Sequence, residues 1–160
     1  MSEARVHILF VCLGNVCRSP MAECVTLQML RDRGQEHHVR VASRGTAAFN
    51  AGKPADPRAT DALRSHGFPT PAHMARQISD EDFAAFGQIV AMDRSNLHTL
   101  TGWRPSGFTG QIRLLPGTNG AAGVEVPDPF YGEAEQFTRS LGLIRNGVAQ
   151  LLDELLPLPW

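Results

Sequence analysis

Cys12 and Arg18 are the residues whose types and spacing first suggest chemistry in this 160-residue chain. A cysteine thiolate is a strong nucleophile, and the planar guanidinium of arginine matches two oxygens of a phosphate group. Five residues separate the two, which is enough chain to wrap a phosphate and bring Arg18 to its rim. Ser19 follows at once, and its hydroxyl can donate a hydrogen bond that stabilises the thiolate. The pattern predicts a nucleophilic cysteine facing a bound phosphate.

The loop that carries these residues lies between a predicted strand and a predicted helix. Residues 6–11 are apolar except for His7 and rich in β-branched side chains, which is typical of a buried parallel strand. Ser19 and Pro20 are typical of an N-cap and a first helical position, and apolar residues then recur at helical spacing. A loop that enters a helix turns backbone N–H groups inward and forms an anion-binding nest. These donors, Arg18 and the helix dipole are expected to lower the pKa of Cys12.

Further strands and helices alternate along the rest of the chain. Their predicted bounds are residues 38–42, 89–92 and 112–115 for the strands, and 56–67 and 133–156 for the helices. This alternation is typical of an open α/β sandwich with a mainly parallel sheet, here in one domain spanning residues 1–160. The glycine-rich stretch 117–123 lacks the lysine and the helix of a nucleotide-binding loop, so it is interpreted as a surface connection.

The composition argues against several classes of function. The net charge is -1, with 15 Lys and Arg against 16 Asp and Glu, so there is no basic field for nucleic acid or an anionic membrane. Three cysteines without a Cys/His ligand set favour neither a disulfide framework nor a metal site, and no cofactor is predicted. No apolar stretch approaches the length of a membrane span, and a cytoplasmic location is expected.

Residues 11–23 read Val-Cys-Leu-Gly-Asn-Val-Cys-Arg-Ser-Pro-Met-Ala-Glu. This segment closely resembles the signature of the low-molecular-weight protein tyrosine phosphatases. Further matching positions are Ser43, Asp56-Pro57-Arg58-Ala59, His66-Gly67, His73, Ala75-Arg76-Gln77, Met92-Asp93, Ser95-Asn96-Leu97 and Asp128-Pro129-Phe130-Tyr131-Gly132. The resemblance covers nearly the whole chain. It implies a three-layer α/β sandwich with a four-stranded parallel sheet flanked by helices, and metal-free hydrolysis through a phosphocysteine.

The resemblance also implies a role for each residue of the loop and its surroundings. Cys12 would be the nucleophile, Arg18 the phosphate binder and Asp128 the general acid. The residues that would support the loop by hydrogen bonds are Asn15, Ser19, Ser43 and His73. The backbone around the phosphate would come from Leu13, Gly14, Asn15, Val16, Cys17 and Ser19.

Asp128 is preferred over Asp56 as the general acid, although a proline follows both. A phenolate leaves badly unless it is protonated, because the pKa of tyrosine is about 10. A helical pattern follows Asp56 directly, so this residue is interpreted as an N-cap. Asp128 lies in a connection rich in glycine and proline, which suits a mobile acid loop.

Four apolar side chains are expected to form a slot for the aromatic ring of a substrate: Leu13, Phe49, Phe130 and Tyr131. Phe130 stands where animal members often have a tyrosine, so it keeps the ring but loses a hydroxyl and a phosphorylation site. Phe49 replaces a frequent Trp or Tyr and brings no polar group. The expected ligands are a phosphotyrosine protein or a small aryl phosphate, with phosphate as an inhibitory product.

Two other functions stay open. A thioredoxin-coupled arsenate reductase shares this loop and fold but needs further downstream cysteines, and none follows Cys24. The other is a phosphotyrosine-binding or redox-sensing module, but intact Cys12, Arg18 and Asp128 argue against a chain that has lost catalysis. Redox regulation is compatible with an enzyme, because Cys17 could capture an oxidised Cys12. Cys24 is interpreted as a small packed side chain, and a monomer or weak dimer is expected.

Overall fold

The computed structural model describes residues 4–70, 72–117 and 123–156. The strands are β1 (Val6–Cys12), β2 (Val39–Gly45), β3 (Gln88–Ala91) and β4 (Gln111–Leu114). The helices are α1 (Arg18–Asp32), α2 (Pro57–Ser65), α3 (Asp80–Ala85), α4 (Arg94–Trp103) and α5 (Ala134–Leu155). Most of the stretch 117–123 lies outside the described residues, so its interpretation as a surface connection stays a prediction. None of the helices described here is long and apolar enough to cross a bilayer.

The four strands form one parallel sheet in the order β2-β1-β3-β4. β1 pairs with β2 along its whole length, from Val6 opposite Val39 to Cys12 opposite Gly45. Its other edge pairs with β3. Strand order therefore reverses beside β1, and ligands of open α/β sheets bind beyond the carboxyl ends of the strands at such a point. The predicted four-stranded parallel sheet with flanking helices is confirmed.

Alternate side chains of β1 pack into two separate hydrophobic cores. Ile8, Phe10 and Cys12 face a core shared with α1, α2 and α5, while Leu9 and Val11 face a core shared with α3 and α4. All five side chains are buried. A strand that is covered on both faces is apolar along its length, which is why the continuous apolar run predicted it.

Helices α3 and α4 were not predicted by the apolar pattern. Both are short, and α4 buries only Asn96 and Leu100, so neither shows the long periodicity of α5. Local start signals are nevertheless present. A capping box joins Ser79 and Asp82 at α3, and Asp93 accepts a hydrogen bond from the Asn96 N–H at the start of α4.

Helix α1 begins at Arg18 rather than at Pro20. Its N-cap is Cys17, which makes no side-chain capping hydrogen bond, and Ser19 lies inside the first turn. The prediction of Ser19 as N-cap is wrong, because its hydroxyl lies next to the sulfur of Cys12 instead. Pro20 is still tolerated, since the first N–H groups of a helix have no intrahelical partner.

Asp56 is the N-cap of α2, as predicted. Its carboxylate accepts a hydrogen bond from the backbone N–H of Arg58 at 2.9 Å. Pro57 occupies the first helical position, where its missing N–H and fixed φ cost nothing.

Candidate active site

The loop from Cys12 to Arg18 is held by hydrogen bonds to its backbone carbonyl groups. Backbone N–H groups bind four of these carbonyls: Thr46 N donates to Cys12 O at 2.9 Å, Ala47 N to Leu13 O at 3.0 Å, Asp56 N to Val16 O at 2.8 Å and Met21 N to Cys17 O at 3.1 Å. Side chains bind the other two: Asn50 Nδ2 donates to Gly14 O at 3.2 Å and His73 Nε2 donates to Asn15 O at 2.6 Å. In a trans peptide the N–H of the next residue points opposite to the carbonyl. Because these carbonyls point outward, the N–H groups from Leu13 to Arg18 face the centre of the loop.

These N–H groups form a site for a tetrahedral anion. They lie at the N-terminus of α1, where the helix dipole favours negative charge. The structure therefore brings the residues predicted to surround the phosphate around one position: Leu13, Gly14, Asn15, Val16, Cys17 and Ser19.

Asn15 anchors the loop from inside in a left-handed backbone conformation, with φ of 57°. Its side chain is buried and donates through Nδ2 to the hydroxyls of Ser19 at 2.8 Å and Ser43 at 3.1 Å. Its Oδ1 accepts from the N–H of Arg76 at 2.9 Å. Asparagine tolerates this conformation better than most residues, and these bonds offset its cost. The predicted supports Ser43 and His73 thus both meet Asn15, one at its side chain and one at its carbonyl.

Gly45 allows the end of β2 to approach the loop closely. A Cβ atom at this position would lie 2.8 Å from the carbonyl oxygen of Leu13 and 3.1 Å from the Cβ of Asn15. Neither atom can give way without moving the loop, so a side chain is excluded here.

The sulfur of Cys12 lies buried at the end of β1, 3.0 Å from the hydroxyl oxygen of Ser19. The Ser19 oxygen already accepts from Asn15, so its own proton is available for the sulfur or for the carbonyl of Arg44 at 3.3 Å. A hydroxyl that donates to sulfur favours the thiolate over the thiol. This geometry suits a nucleophile at Cys12 with Ser19 as its support.

Arg18 enters the site from the first turn of α1 and is almost fully buried. Its Nη1 donates to Asp93 Oδ2 at 2.6 Å and to the Val126 carbonyl at 3.0 Å. Burial alone would lower the pKa of Arg18, but Cys12 as a thiolate, Asp93 and Asp128 raise that pKa above its ordinary value. Arg18 therefore stays a cation. Across residues 4–70, 72–117 and 123–156, no cluster of three or more His, Cys, Asp or Glu side chains could hold a metal ion.

Asp128 reaches the same site from the connection between β4 and α5. Its Oδ2 lies 3.5 Å from Nη2 of Arg18, and 40% of its side chain is exposed. Its Oδ1 accepts from the N–H of Phe130 at 3.1 Å. A partly exposed carboxyl at the mouth of the site can take a proton from solvent and give it to a departing group.

Asp56 does not suit this task. Its side-chain hydrogen bonds from Arg58 hold the pKa of Asp56 below its ordinary value, although burial acts in the opposite direction. Asp56 is therefore an anion at neutral pH and part of a fixed ion pair with Arg58. The distinction between the two Asp-Pro pairs made from the sequence agrees with this geometry.

The site opens into a cleft of about 440 Å³, counting its mouth. Its lining brings together all the predicted residues of the aromatic slot: Leu13, Phe49, Phe130 and Tyr131. The rings of Phe130 and Tyr131 meet edge to face at 5.1 Å, and Tyr131 is 95% exposed. The cleft therefore places apolar side chains beside the anion site, as a phenyl phosphate requires.

Asp93 and Glu23 also support the site, although they are not among the residues predicted for it. Asp93 follows β3 and binds Arg18, and Glu23 accepts from the Ser43 hydroxyl at 2.7 Å. Asp93 could have been found, because it directly follows a buried strand and precedes a helix, at the edge of the sheet where ligands bind. Glu23 lies on α1 with no comparable signal.

Cys17 and Cys24 are buried free thiols. Burial, followed by the charges of Asp56, Cys12 and Asp128, raises the pKa of Cys17 strongly. Burial also raises the pKa of Cys24 to about 11, and its sulfur donates to the carbonyl of Pro69 at 3.0 Å. The interpretation of Cys24 as a packed side chain agrees with this position.

Comparison with known proteins gives the family of this chain. The model of the low molecular weight phosphotyrosine protein phosphatase family matches residues 7–157. The chain belongs to this family. This family member is 40% identical to low molecular weight protein-tyrosine phosphatase A of Mycobacterium tuberculosis over 152 residues, which are 92% of this chain and 90% of that relative. It is 39% identical to the human low molecular weight phosphotyrosine protein phosphatase over 137 residues, which are 84% and 86% of the two chains.

A solved structure agrees with this membership. The protein tyrosine phosphatase of Entamoeba histolytica superposes with a TM-score of 0.88 at 30% identity, covering 94% of this chain and 96% of that one. The family predicted from the sequence is thereby confirmed. Because these relatives are all named as tyrosine phosphatases, the arsenate reductase alternative is not favoured.

Proposed function

We propose that this chain is a protein-tyrosine phosphatase that hydrolyses phosphotyrosine and aryl phosphates through a phosphocysteine, without a metal ion. One observation carries the proposal. The sulfur of Cys12 lies beside a ring of inward N–H groups, with Arg18 and Asp128 at the rim of the same cleft. These are the nucleophile, the anion site, the cation and the acid that a phosphate monoester needs.

In the first step the Cys12 thiolate attacks phosphorus and an S–P bond forms. The bond between phosphorus and the phenolic oxygen breaks, and Asp128 gives its proton to that oxygen. The inward N–H groups and Arg18 bind the three remaining phosphate oxygens, whose charge they stabilise most strongly at the transition state. The products of this step are a free phenol and phosphocysteine.

In the second step a water molecule replaces the phenol and attacks phosphorus. Asp128, now a carboxylate, accepts a proton from this water as the S–P bond breaks. The sulfur leaves as a thiolate, which the hydroxyl of Ser19 stabilises at 3.0 Å. Inorganic phosphate is then held by the same donors, so it should inhibit the enzyme.

The aromatic slot supplies the substrate preference. A phenol ring can lie against Leu13, Phe49 and Phe130 while its phosphate reaches the loop. A phosphoserine side chain would leave these surfaces unfilled and hold its phosphate short of the N–H groups. The expected partner is a phosphotyrosine protein; its identity, the cytoplasmic location and the monomeric or weakly dimeric state stay predictions.

The proposal is tested with matched phosphotyrosine and phosphoserine peptides. We expect phosphate release from the phosphotyrosine peptide at a far higher kcat/KM, unaffected by a chelator. Rapid acid quenching and mass spectrometry should locate the phosphoryl group on Cys12. Cys12→Ser should lose turnover but keep phosphate binding, because the site is built from N–H groups and Arg18.

Cys24→Ser is the matched control, since Cys24 lies outside the cleft, and it should remain active. Full turnover by Cys12→Ser would rule out a phosphocysteine. A wild-type chain that binds the phosphotyrosine peptide without releasing phosphate would instead be a binding module.

A further inference from the structure

Asp128 is carried by an acid loop, defined here as residues 126–133. The Val126 N–H donates to the Met92 carbonyl at 2.7 Å, and the Ser140 hydroxyl donates to the Pro127 carbonyl at 3.2 Å. These contacts fix the beginning of the loop. They lie before Asp128, and the part of the loop that follows Asp128 has a further contact with helix α2.

Arg58 supplies that contact from the first turn of α2. Its Nη1 donates to the carbonyl of Gly132 at 3.1 Å. Its guanidinium also lies over the ring of Phe130 at 5.3 Å and over the ring of Phe137 at 4.7 Å. One side chain therefore touches the acid loop at two places and joins it to the first turns of α5.

Asp56 fixes Arg58 in this position. Arg58 donates to it through Nε at 3.1 Å and through Nη2 at 2.9 Å. This bidentate pair uses two donors of the guanidinium fork and leaves Nη1 for the loop. The Asp56 side chain is 12% exposed and the Arg58 side chain 37%, so the pair is partly shielded from solvent on the Asp56 side.

We propose that Arg58, held by Asp56, is a positioning residue that sets the place of Asp128 through Phe130 and Gly132. The proposal rests on the proposed phosphatase function and extends it to a residue outside the catalytic cleft. The Asp128 carboxylate accepts from the N–H of Phe130, so the carboxylate moves with the residue whose ring lies on Arg58. Its other contact, with Arg18, is long at 3.5 Å and fixes it poorly.

A displaced acid affects substrates unequally. The first step suffers most when the leaving phenol has a high pKa and needs its proton, and least when the phenolate leaves readily. Loss of Arg58 should therefore steepen the dependence of kcat/KM on the leaving-group pKa. If Arg58 had a purely structural role, its loss would reduce kcat/KM for all substrates by the same factor.

The experiment measures kcat/KM for a series of aryl phosphates, from nitrophenyl to unsubstituted phenyl. Arg58→Met keeps apolar contact with Phe130 and Phe137 but removes the donors. We expect kcat/KM for phenyl phosphate to fall roughly tenfold, and kcat/KM for nitrophenyl phosphate to fall much less. This is smaller than the roughly 10²–10⁴-fold loss expected when a general acid is removed completely. Arg64→Met is the matched control on the same helix. The slope of log kcat/KM against leaving-group pKa should be the same in this variant as in the wild type.

A second single variant keeps the test decisive if Arg58→Met folds poorly, and a double variant adds an independent check where it folds. Asp56→Asn keeps an N-cap oxygen for α2 but removes the charge that holds Arg58, so it should steepen the slope partially. In an Asp128→Ala background, Arg58→Met should add no further steepening, because there is no acid left to position. An unchanged slope in Arg58→Met or Asp56→Asn, or an additive slope effect in the double variant, would overturn the proposal.

Failure of this inference can be told apart from failure of the proposed function. If wild-type protein hydrolyses the series and Asp128→Ala steepens the slope, the function stands whatever Arg58 does. If wild-type protein hydrolyses none of these esters, both proposals are overturned together.

Discussion

The carboxylate of Asp93 joins the guanidinium of Arg18 to the N-terminus of α4. Its Oδ2 accepts from Arg18 Nη1 at 2.6 Å, and its Oδ1 accepts from the Asn96 N–H at 2.7 Å. With Nη1 also bound to the Val126 carbonyl, the guanidinium cannot turn away, and its remaining N–H groups are available to a phosphate. The position of the Arg18 guanidinium thus depends on Asp93, which lies just beyond the end of β3.

Asp93→Asn should weaken phosphate binding without unfolding the protein. The amide oxygen can still cap α4, but the amide nitrogen then faces Arg18 and the charge is lost. We expect the inhibition constant of phosphate to rise about tenfold, equivalent to about 1.4 kcal/mol, as for one hydrogen bond between charged groups. Competitive inhibition of aryl phosphate hydrolysis measures it.

Asp153→Asn is the control for this change, because Asp153 forms an exposed ion pair with Arg33 far from the cleft. It should leave the inhibition constant of phosphate unchanged. If Asp93→Asn also left it unchanged, Arg18 would be held well enough by the Val126 carbonyl alone.

Local sequence predicted the parts of the site that lie close together in the chain. The buried strand β1, the loop after it and helix α1 are consecutive, and their apolar pattern shows where the strand ends and the loop begins. The loop also carries its own chemistry, since Cys12, Arg18 and Ser19 fall within eight residues. A single segment therefore predicted both the location and the type of the site.

The parts that the sequence did not predict depend on contacts between distant residues. Arg18 and Asp93 are 75 positions apart, and Arg58 and Gly132 are 74 apart, so no periodicity links them. At Ser19 a tertiary contact overrides the local prediction. Its residue type favours an N-cap, but the tertiary contact with Cys12 and Asn15 takes its hydroxyl instead.

Asp128→Ala should slow formation of the phosphoenzyme by roughly 10²–10⁴-fold, the usual value of a positioned acid. The loss should be larger for phenyl phosphate than for nitrophenyl phosphate, because nitrophenolate leaves with less help. Pre-steady-state release of the phenol measures this step directly. The slope of log rate against leaving-group pKa should steepen.

Asp61→Ala is the matched control for Asp128→Ala, since Asp61 is an exposed residue of α2 paired only with Arg64 in the described structure. Its slope should equal that of the wild type. A steeper slope in Asp61→Ala together with an unchanged slope in Asp128→Ala would show that Asp128 is not the general acid.

Cys17 should protect Cys12 from irreversible oxidation. Peroxide converts the Cys12 thiolate to a sulfenic acid; the Cys17 thiolate then attacks that sulfur, the S–O bond breaks, hydroxide leaves and takes a proton from solvent, and a disulfide forms. Because burial raises the pKa of Cys17, this closure should become faster as the pH rises. Mass spectrometry of peroxide-treated protein should show the loss of two hydrogens and a bond between Cys12 and Cys17.

Cys17→Ser should lose more activity permanently under the same treatment, measured as the fraction that a thiol reductant restores. Cys24→Ser should recover like the wild type, because Cys24 is buried outside the cleft. Equal recovery of wild type and Cys17→Ser would show that Cys17 has no protective role.

Cys24 should make the stability of the protein depend on pH in alkaline solution. Burial raises its pKa from 9.0 to about 11, and its sulfur donates to the Pro69 carbonyl. Below pH 9 the thiol is protonated in both folded and unfolded chains, so its contribution is fully present. Above pH 9 the unfolded chain releases the proton while the folded chain retains it, so this contribution is lost progressively as the pH rises toward 11. Urea unfolding of wild type and Cys24→Ala across this range measures the difference, in which titrations common to both proteins cancel. The two stability curves should converge as the pH rises, and curves that stay parallel from pH 8 to 11 would show that the Cys24 thiol ionises equally in both states.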